Sequence, residues 1–177
     1  GSGLNVQLPS ASNNIAKVVT MSGGFFIDPP TLNDQDKSIR IFWAVTGYGK
    51  QGWSGAAIYM SEDNGATYDQ IANTSVESTV GLVEAITPYK DYHVWDTTTE
   101  IIVKLTSGTL LSKTEIAVLN GANHCMIGQE VIGFCNAELI GEKTYKLSKR
   151  MRGRQGSEVY CATHVANELF VGLDDLV

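Results

Sequence analysis

The strongest constraint on this chain lies in its second half, where two apolar-rich arms, residues 126–140 and 144–150, flank Gly141-Glu142-Lys143. Arms of this kind around a short glycine-containing turn predict an antiparallel hairpin. On the first arm Val131, Cys135, Ala137 and Leu139 share one face, while Ile132, Phe134 and Ile140 share the other. Both faces are therefore expected to be partly covered. Gly128 and Gly133 predict a bulge or a close backbone approach within that arm.

The rest of the chain repeats the pattern on a smaller scale. Residues 15–20, 38–45, 55–60, 92–95 and 99–106 are short runs rich in β-branched or aromatic side chains, the composition of strands. Turn chemistry separates them at Asp28-Pro29-Pro30, Thr46-Gly47-Tyr48-Gly49, Asp63-Asn64-Gly65 and Ser107-Gly108. Only residues 112–120 read as a helix, with Ser or Thr to cap it and Gly121 to end it. The expected fold class is all-β: an antiparallel β-sandwich or barrel-like domain with a long hairpin and at most one or two short helices. Gly1-Ser2-Gly3 reads as a cloning remnant on a piece of something larger. Residues 4–177 are expected to form a single β domain, with a possible subdivision near 107–112.

Composition removes several functions. A chain of 177 residues, 43% hydrophobic, is long enough to bury a sizeable core. Its net charge of −6 and pI near 5.0 argue against broad attraction to nucleic acid or anionic lipid. No apolar run approaches the roughly 20 residues needed to cross a bilayer. Cys125, Cys135 and Cys161 are too few, and odd in number, for a disulfide scaffold. Cys161-Ala162-Thr163-His164 with His124-Cys125 resembles fragments of a zinc site, but structural zinc takes two closely spaced ligand pairs. Buried thiols are the expectation, with no metal and no cofactor.

Ser61-Glu62-Asp63-Asn64-Gly65-Ala66-Thr67-Tyr68 matches the Asp-box of carbohydrate-active β-propellers at Ser61, Asp63, Gly65 and Tyr68. Physically the motif makes a turn: Gly65 takes positive φ, Asp63 accepts turn amides and Tyr68 packs back on the strands. A propeller would repeat it, and no second copy exists. It therefore predicts a hairpin between residues 55–60 and the segment after Tyr68. Hydrolysis of a glycoside needs two carboxylates at a set separation, one with a raised pKa. The acidic pairs here, Asp34 with Asp36, Glu62 with Asp63 and Asp174 with Asp175, lie in polar turns or at the terminus. With no G-x-S-x-G elbow and no P-loop, no catalytic residue is expected.

The least generic segment is Lys149-Arg150-Met151-Arg152-Gly153-Arg154-Gln155-Gly156-Ser157-Glu158, followed by His164. Gly153 and Gly156 permit an irregular loop, and the arginines can fork onto carboxylates, with Glu158 the natural internal partner. The other reading is an anion- or partner-binding loop through Arg152 and Arg154. Trp53, Tyr48 and Trp95 are candidate stacking platforms for a sugar if they stay out of the core.

A set of landmarks then runs in order along residues 40–175. They are Gly52-Trp53-Ser54-Gly55-Ala56-Ala57-Ile58-Tyr59 with Ser61-Glu62-Asp63-Asn64-Gly65, Val94-Trp95-Asp96, Leu119-Asn120-Gly121-Ala122-Asn123, Ile127-Gly128-Gln129-Glu130, and Arg152-Gly153-Arg154-Gln155-Gly156-Ser157-Glu158 with His164 and Phe170. In these the chain resembles the C-terminal region of the tail-tip, or baseplate-hub, proteins of long-tailed bacteriophages and gene transfer agents. It departs at Asn167, where the family tends to glycine, and at Met151, where it tends to leucine. The resemblance implies a non-enzymatic structural module of the virion tail tip, assembled in the host cytoplasm, contributing to tail assembly and host-envelope contact. Implied partners are other phage tail proteins and a homotrimer in the full-length hub, with a host surface polysaccharide as a further candidate and no specific nucleic-acid binding. The alternative is a carbohydrate-binding module recognising a cell-surface glycan.

Overall fold

The computed structural model describes residues 4–7, 21–27, 42–48, 55–60, 66–67, 69–89 and 91–174. Strands dominate them. In chain order they are β1 (Leu4–Gln7), β2 (Met21–Ile27), β3 (Phe42–Tyr48), β4 (Ala56–Met60), β5 (Asp69–Thr74), β6 (Val80–Ile86), β7 (Trp95–Asp96) and β8 (Ile101–Ser107). A short helix α1 (Glu115–Leu119) follows, then β9 (His124–Ile127), β10 (Glu130–Gly141), β11 (Thr144–Arg154), a 3-10 turn (Glu158–Tyr160) and β12 (Leu169–Gly172). Among the described residues no helix is long and apolar enough to cross a membrane.

Two small antiparallel sheets come first, β1-β4-β5 and β2-β3. β4 runs against β5 with Met60 opposite Asp69, so the hairpin expected from the Asp-box is formed. Ser61, Asp63, Gly65 and Tyr68 themselves lie outside the described residues, as do residues 15–20 and Trp53. The turn expected at residues 46–49 is instead strand as far as Tyr48, because Thr46, Gly47 and Tyr48 pair with Gly23, Ser22 and Met21.

The remaining strands close into an antiparallel barrel. Their order is β10-β9-β12-β6-β8-β11, and β11 pairs back with β10, so six strands form a ring and β7 adds to the edge of β11 beyond β8. Closure satisfies both edges of each strand, which an open sheet of this length leaves exposed. Strands from both sides of residues 107–112 belong to this one sheet. Its interior is apolar: Val83, Ile101, Val103, Leu105, Cys125, Ile127, Ile132, Phe134, Tyr145, Leu147 and Phe170 pack as one buried cluster. The period of two is plainest on β8, where Ile101, Val103 and Leu105 point in and Lys104 and Thr106 point out.

The hairpin around Gly141-Glu142-Lys143 is present, with Gly141 opposite Thr144. The arm 126–140, however, is two strands. Gly128 adopts φ 57 and reverses the chain between β9 and β10. A side chain there would meet the Glu168 carboxylate at 3.1 Å. Gly133 makes the close approach expected of it, since a Cβ would stand 2.9 Å from the Val118 side chain of α1. The second arm continues past Arg150 to Arg154. Of residues 92–95, only Trp95 is strand; the positive φ of His93 marks a turn just before it.

The helix is shorter than 112–120 for an identifiable reason. Lys113 N donates to Cys135 O (2.7 Å) and Ala137 N donates to the Ser112 hydroxyl (3.0 Å), so the chain here serves β10 first. Thr114 then caps the helix by accepting from Ala117 N at 3.3 Å. Thr114→Ala is expected to lower stability by about 1 kcal/mol, read from the urea midpoint, through loss of that cap.

Candidate functional site

At one end of the barrel the apolar lining gives way to charge. Glu130 opens β10 on the face that Ile132 and Phe134 continue inward, and its side chain is fully buried. On β11 two irregularities aim the arginines. Lys149 adopts φ 53, and after it both Arg150 and Arg152 are buried, where Tyr145 and Leu147 were the inward residues before it. Val131 then faces Arg154 and Gly133 faces Met151, so Arg152 and Gly153 together bulge opposite Ile132 alone.

The bulge presents the Arg152 guanidinium edge-on to Glu130. Nε donates to Oε1 at 2.8 Å and Nη2 to Oε2 at 2.9 Å, the bidentate fork that matches a carboxylate. Its remaining donors reach Thr87 O (3.1 Å) and Cys161 O (3.4 Å), and Tyr89 lies with its ring 5.8 Å away. Oε1 of Glu130 also accepts from Gly153 N (2.8 Å) and the Cys161 thiol (3.1 Å). Oε2 accepts from His164 Nε2 at 2.5 Å, and the other nitrogen of that ring, Nδ1, meets Glu168 Oε2 at 2.6 Å.

A second buried pair adjoins the first. Asp96 accepts from Arg150 Nη2 (3.1 Å), from the Thr98 and Thr99 amides (3.0 Å each) and from the Thr99 hydroxyl, with Arg152 Nη1 at 3.9 Å. Arg150 also donates to Leu147 O (2.8 Å) and Thr99 O (2.5 Å), leaving its Nε as a buried polar atom with no partner.

These contacts set the ionisation. Burial alone would raise the Glu130 pKa, but hydrogen bonds from His164 and Arg152 outweigh it and bring it to about 2. Asp96 is likewise lowered, against burial, by its bonds to Thr99 and Thr98 and by the charge of Arg150. Burial, then the bond to Glu130, push the Cys161 thiol up to about 12. Cys161 is therefore held as a thiol, and Glu130 and Asp96 as carboxylates. The chemistry of the cluster is internal pairing.

The arginine-rich segment is thus a stapled structural element, with one correction to its wiring. Arg150 and Arg152 pair with Asp96 and Glu130; Glu158, half-buried in the 3-10 turn, is the partner of neither. Arg152 is 1% exposed, with four N–H groups bonded and Asp96 3.9 Å from Nη1, which leaves no open face for an external anion. Arg154 is half-exposed at the end of β11. Gly153 (φ 60) and Gly156 (φ 79) take the conformations expected of glycine in an irregular loop. His164 joins the cluster. Trp95 is half-buried beside Arg150 and Met151 of β11, with the Lys149 ammonium 5.8 Å over its ring, and Tyr48 ends β3. Asp96, Glu130, Cys161 and Glu168 join the cluster from positions that no local pattern in the sequence ties to the arginines. The available signal was that Asp96 and Glu130 each close a landmark, Val94-Trp95-Asp96 and Ile127-Gly128-Gln129-Glu130.

A cavity of about 210 Å³ lies elsewhere, lined by Thr79, Leu110, Lys113, Asn123, His124 and Asp174 among others. Asp174 accepts from Asn123 N (2.8 Å) and His124 N (3.2 Å). His124 Nδ1 sits 3.0 Å from both Gly121 O and Ala122 O. Burial lowers its pKa and keeps the ring neutral. Among the described residues no group of His, Cys, Asp and Glu is arranged to hold a metal ion.

Residues 78–171, more than half of the chain, match the family model described as Rcc01698-like, C-terminal. That span runs from just before β6 into β12, so the matched unit is the barrel. No curated protein matches the chain.

Proposed function

The chain belongs to the Rcc01698-like, C-terminal family, and from that premise we propose that it is a non-enzymatic structural module of a phage or gene-transfer-agent tail tip. The observation that carries this reading is the use made of the landmark residues. Leu119-Asn120-Gly121-Ala122-Asn123 ends α1, Ile127-Gly128-Gln129-Glu130 turns β9 into β10 and delivers Glu130, and Arg152-Gly153-Arg154 forms the bulge that meets it. Each is a determinant of shape, and the dense cluster of ionisable groups at the barrel end is buried apart from Glu168, whose side chain is 20% exposed. A small barrel locked by internal ion pairs suits a part that must keep its form within a particle.

The test is location. Gold-labelled antibody raised against the domain should bind purified particles at the distal end of the tail; particles that lack the protein, or label elsewhere, would overturn the proposal. Incubation of the protein with host polysaccharide should release no new reducing ends. The alternative, a glycan-binding module using Trp53, Tyr48 or Trp95, draws less support from Trp95, because that ring is half-buried and has the Lys149 ammonium 5.8 Å from its centroid.

A further inference from the structure

The connection between β11 and β12 crosses the charged end of the barrel, and it is fastened unevenly. Its first part is held at Ser157, whose hydroxyl accepts from Val131 N (2.9 Å) and donates to Arg154 O (2.6 Å). It is held again at Cys161, whose carbonyl accepts from Tyr89 N (3.3 Å). Its last part is held where Asn167 N donates to Val83 O (2.8 Å) and Val83 N donates to Glu168 O (2.9 Å). Between these points Ala162, Thr163, Val165 and Ala166 are exposed, and Thr163 bonds only to Tyr160 O of the same connection. Within residues 162–166, His164 alone sends its side chain inward, where it is 1% exposed.

We propose that His164 is a charge-operated latch: its doubly protonated ring pins residues 162–166 across the barrel end, and loss of one proton releases that segment while the barrel stays folded. The geometry demands two N–H groups, because Nε2 faces Glu130 at 2.5 Å and Nδ1 faces Glu168 at 2.6 Å. A neutral imidazole has only one, so one nitrogen would then turn a lone pair toward a carboxylate oxygen. The two carboxylates differ in how they bear this. Glu130 keeps both bonds from Arg152, the Gly153 amide and the Cys161 thiol, whereas Glu168 has a 20% exposed side chain that can turn to water.

The surrounding charges agree. β10 brings Glu130, β11 brings Arg152 and Arg150, β7 brings Asp96, the segment before β7 brings Tyr89, and the connection itself brings Cys161 and Glu168. With His164 charged, three cations face three carboxylates in one chain of contacts. Burial draws the ring's pKa down, but bonds to Glu130 and then Glu168 raise it above its ordinary value. A raised histidine pKa places the closed state at and below the ordinary imidazole range, and opening follows as pH rises through the raised value. Asn167, at φ 66, marks where the chain rejoins β6 through its bond to Val83 O.

Elastase cuts after small residues, of which Ala162, Val165 and Ala166 are in the pinned segment, and cleavage follows the open population when opening is fast. The experiment records the His164 titration by NMR and elastase cleavage of the folded protein over the same pH range, normalised to a free peptide of that sequence. Cleavage should be at least about tenfold faster above the titration midpoint than below it, with the far-UV spectrum unchanged. His164→Gln should be cut at the fast rate at every pH. Glu168→Gln should move the midpoint down by about one pH unit and carry the cleavage profile with it. Titration of His164 at or below its ordinary value, cleavage indifferent to pH, or equal protection of His164→Gln and the native chain would overturn the proposal. If His164→Gln does not fold, the Glu168→Gln pair of curves decides, and failure of the two midpoints to move together counts against the latch.

Discussion

Replacing Glu130 with leucine should cost the fold about 3 to 5 kcal/mol, measured as a fall in unfolding free energy by chemical denaturation at neutral pH. Most of that is the penalty of what remains. Without Glu130 the buried Arg152 guanidinium keeps only Asp96, 3.9 Å from Nη1, and the His164 ring keeps only Glu168, while the Gly153 amide and Cys161 thiol lose their acceptor. Removing both sides of the central pair, as Glu130→Leu with Arg152→Met, should recover a large part of the loss, because two matched apolar groups leave fewer charges stranded. A single substitution costing under about 1 kcal/mol would mean that the cluster is hydrated and the reading of a sealed barrel end is wrong.

The same pair has an acid signature. The Glu130 pKa falls from 4.5 to about 2 on folding. A lowered carboxylate pKa contributes stability that is fully present above the unfolded value and is lost as pH drops through the folded one. At about 1.4 kcal/mol per unit, the shift amounts to roughly 3 kcal/mol, lost between about pH 4.5 and 2. The native chain should therefore weaken steeply in that window, while Glu130→Leu should be flatter there, and the two should converge near pH 2. Parallel curves would show that Glu130 is not the group responsible.

How far the sequence could be read depended on whether a residue's role was local. The β10–β11 hairpin is a local device, and its turn at Gly141-Glu142-Lys143 was legible because chain reversal leaves a glycine and two polar residues between apolar arms. The all-β, barrel-like class was legible for the same reason. The strands that close the ring were harder. β6 carries Glu84 on its outer side and has Gly81 in a paired position, and β12 has only the residues Leu169–Gly172. Neither shows a long alternation, and each is strand because both of its neighbours already exist. The division of residues 126–140 at Gly128 was hidden because an apolar run broken by Gly128 and Gly133 reads equally well as one bulged strand.

The charged end shows the same limit. That the arginines would find carboxylates followed from guanidinium chemistry, but Glu158 was the nearest in sequence, and the actual partners lie 22 residues from Arg152 and 54 from Arg150. Only closure of the barrel brings Glu130 and Asp96 beside β11. A cluster built from several separate elements has no periodic trace, so Asp96, Glu130, Arg152 and His164 were visible as landmarks before their common purpose was, and Cys161 and Glu168 were not.

Closure also sets the second large effect. Gly81→Ala should destabilise the protein by about 3 kcal/mol or more, more than most substitutions that add a single methyl group. A Cβ at Gly81 would overlap the carbonyl oxygen of Lys104 and stand 2.8 Å from Leu105 Cα, and both obstacles are backbone of the paired strand β8. The pairing steps from Val80 opposite Ser107 to Gly81 opposite Leu105, so Thr106 is extra and the β8 backbone folds toward the glycine. A flexible side chain could move aside, but here relief requires β8 to part from β6, and β8 is also bonded to β11. Strain at this one position is therefore passed around the ring. Leu82→Ala, one residue along and on a side chain 45% exposed, should stay within about 1 kcal/mol and serves as the control. Denaturant midpoints for the two variants, with amide exchange in β6 and β8, measure the difference. If Gly81→Ala proves as mild as Leu82→Ala, the β6–β8 seam is not closed as tightly as this register requires.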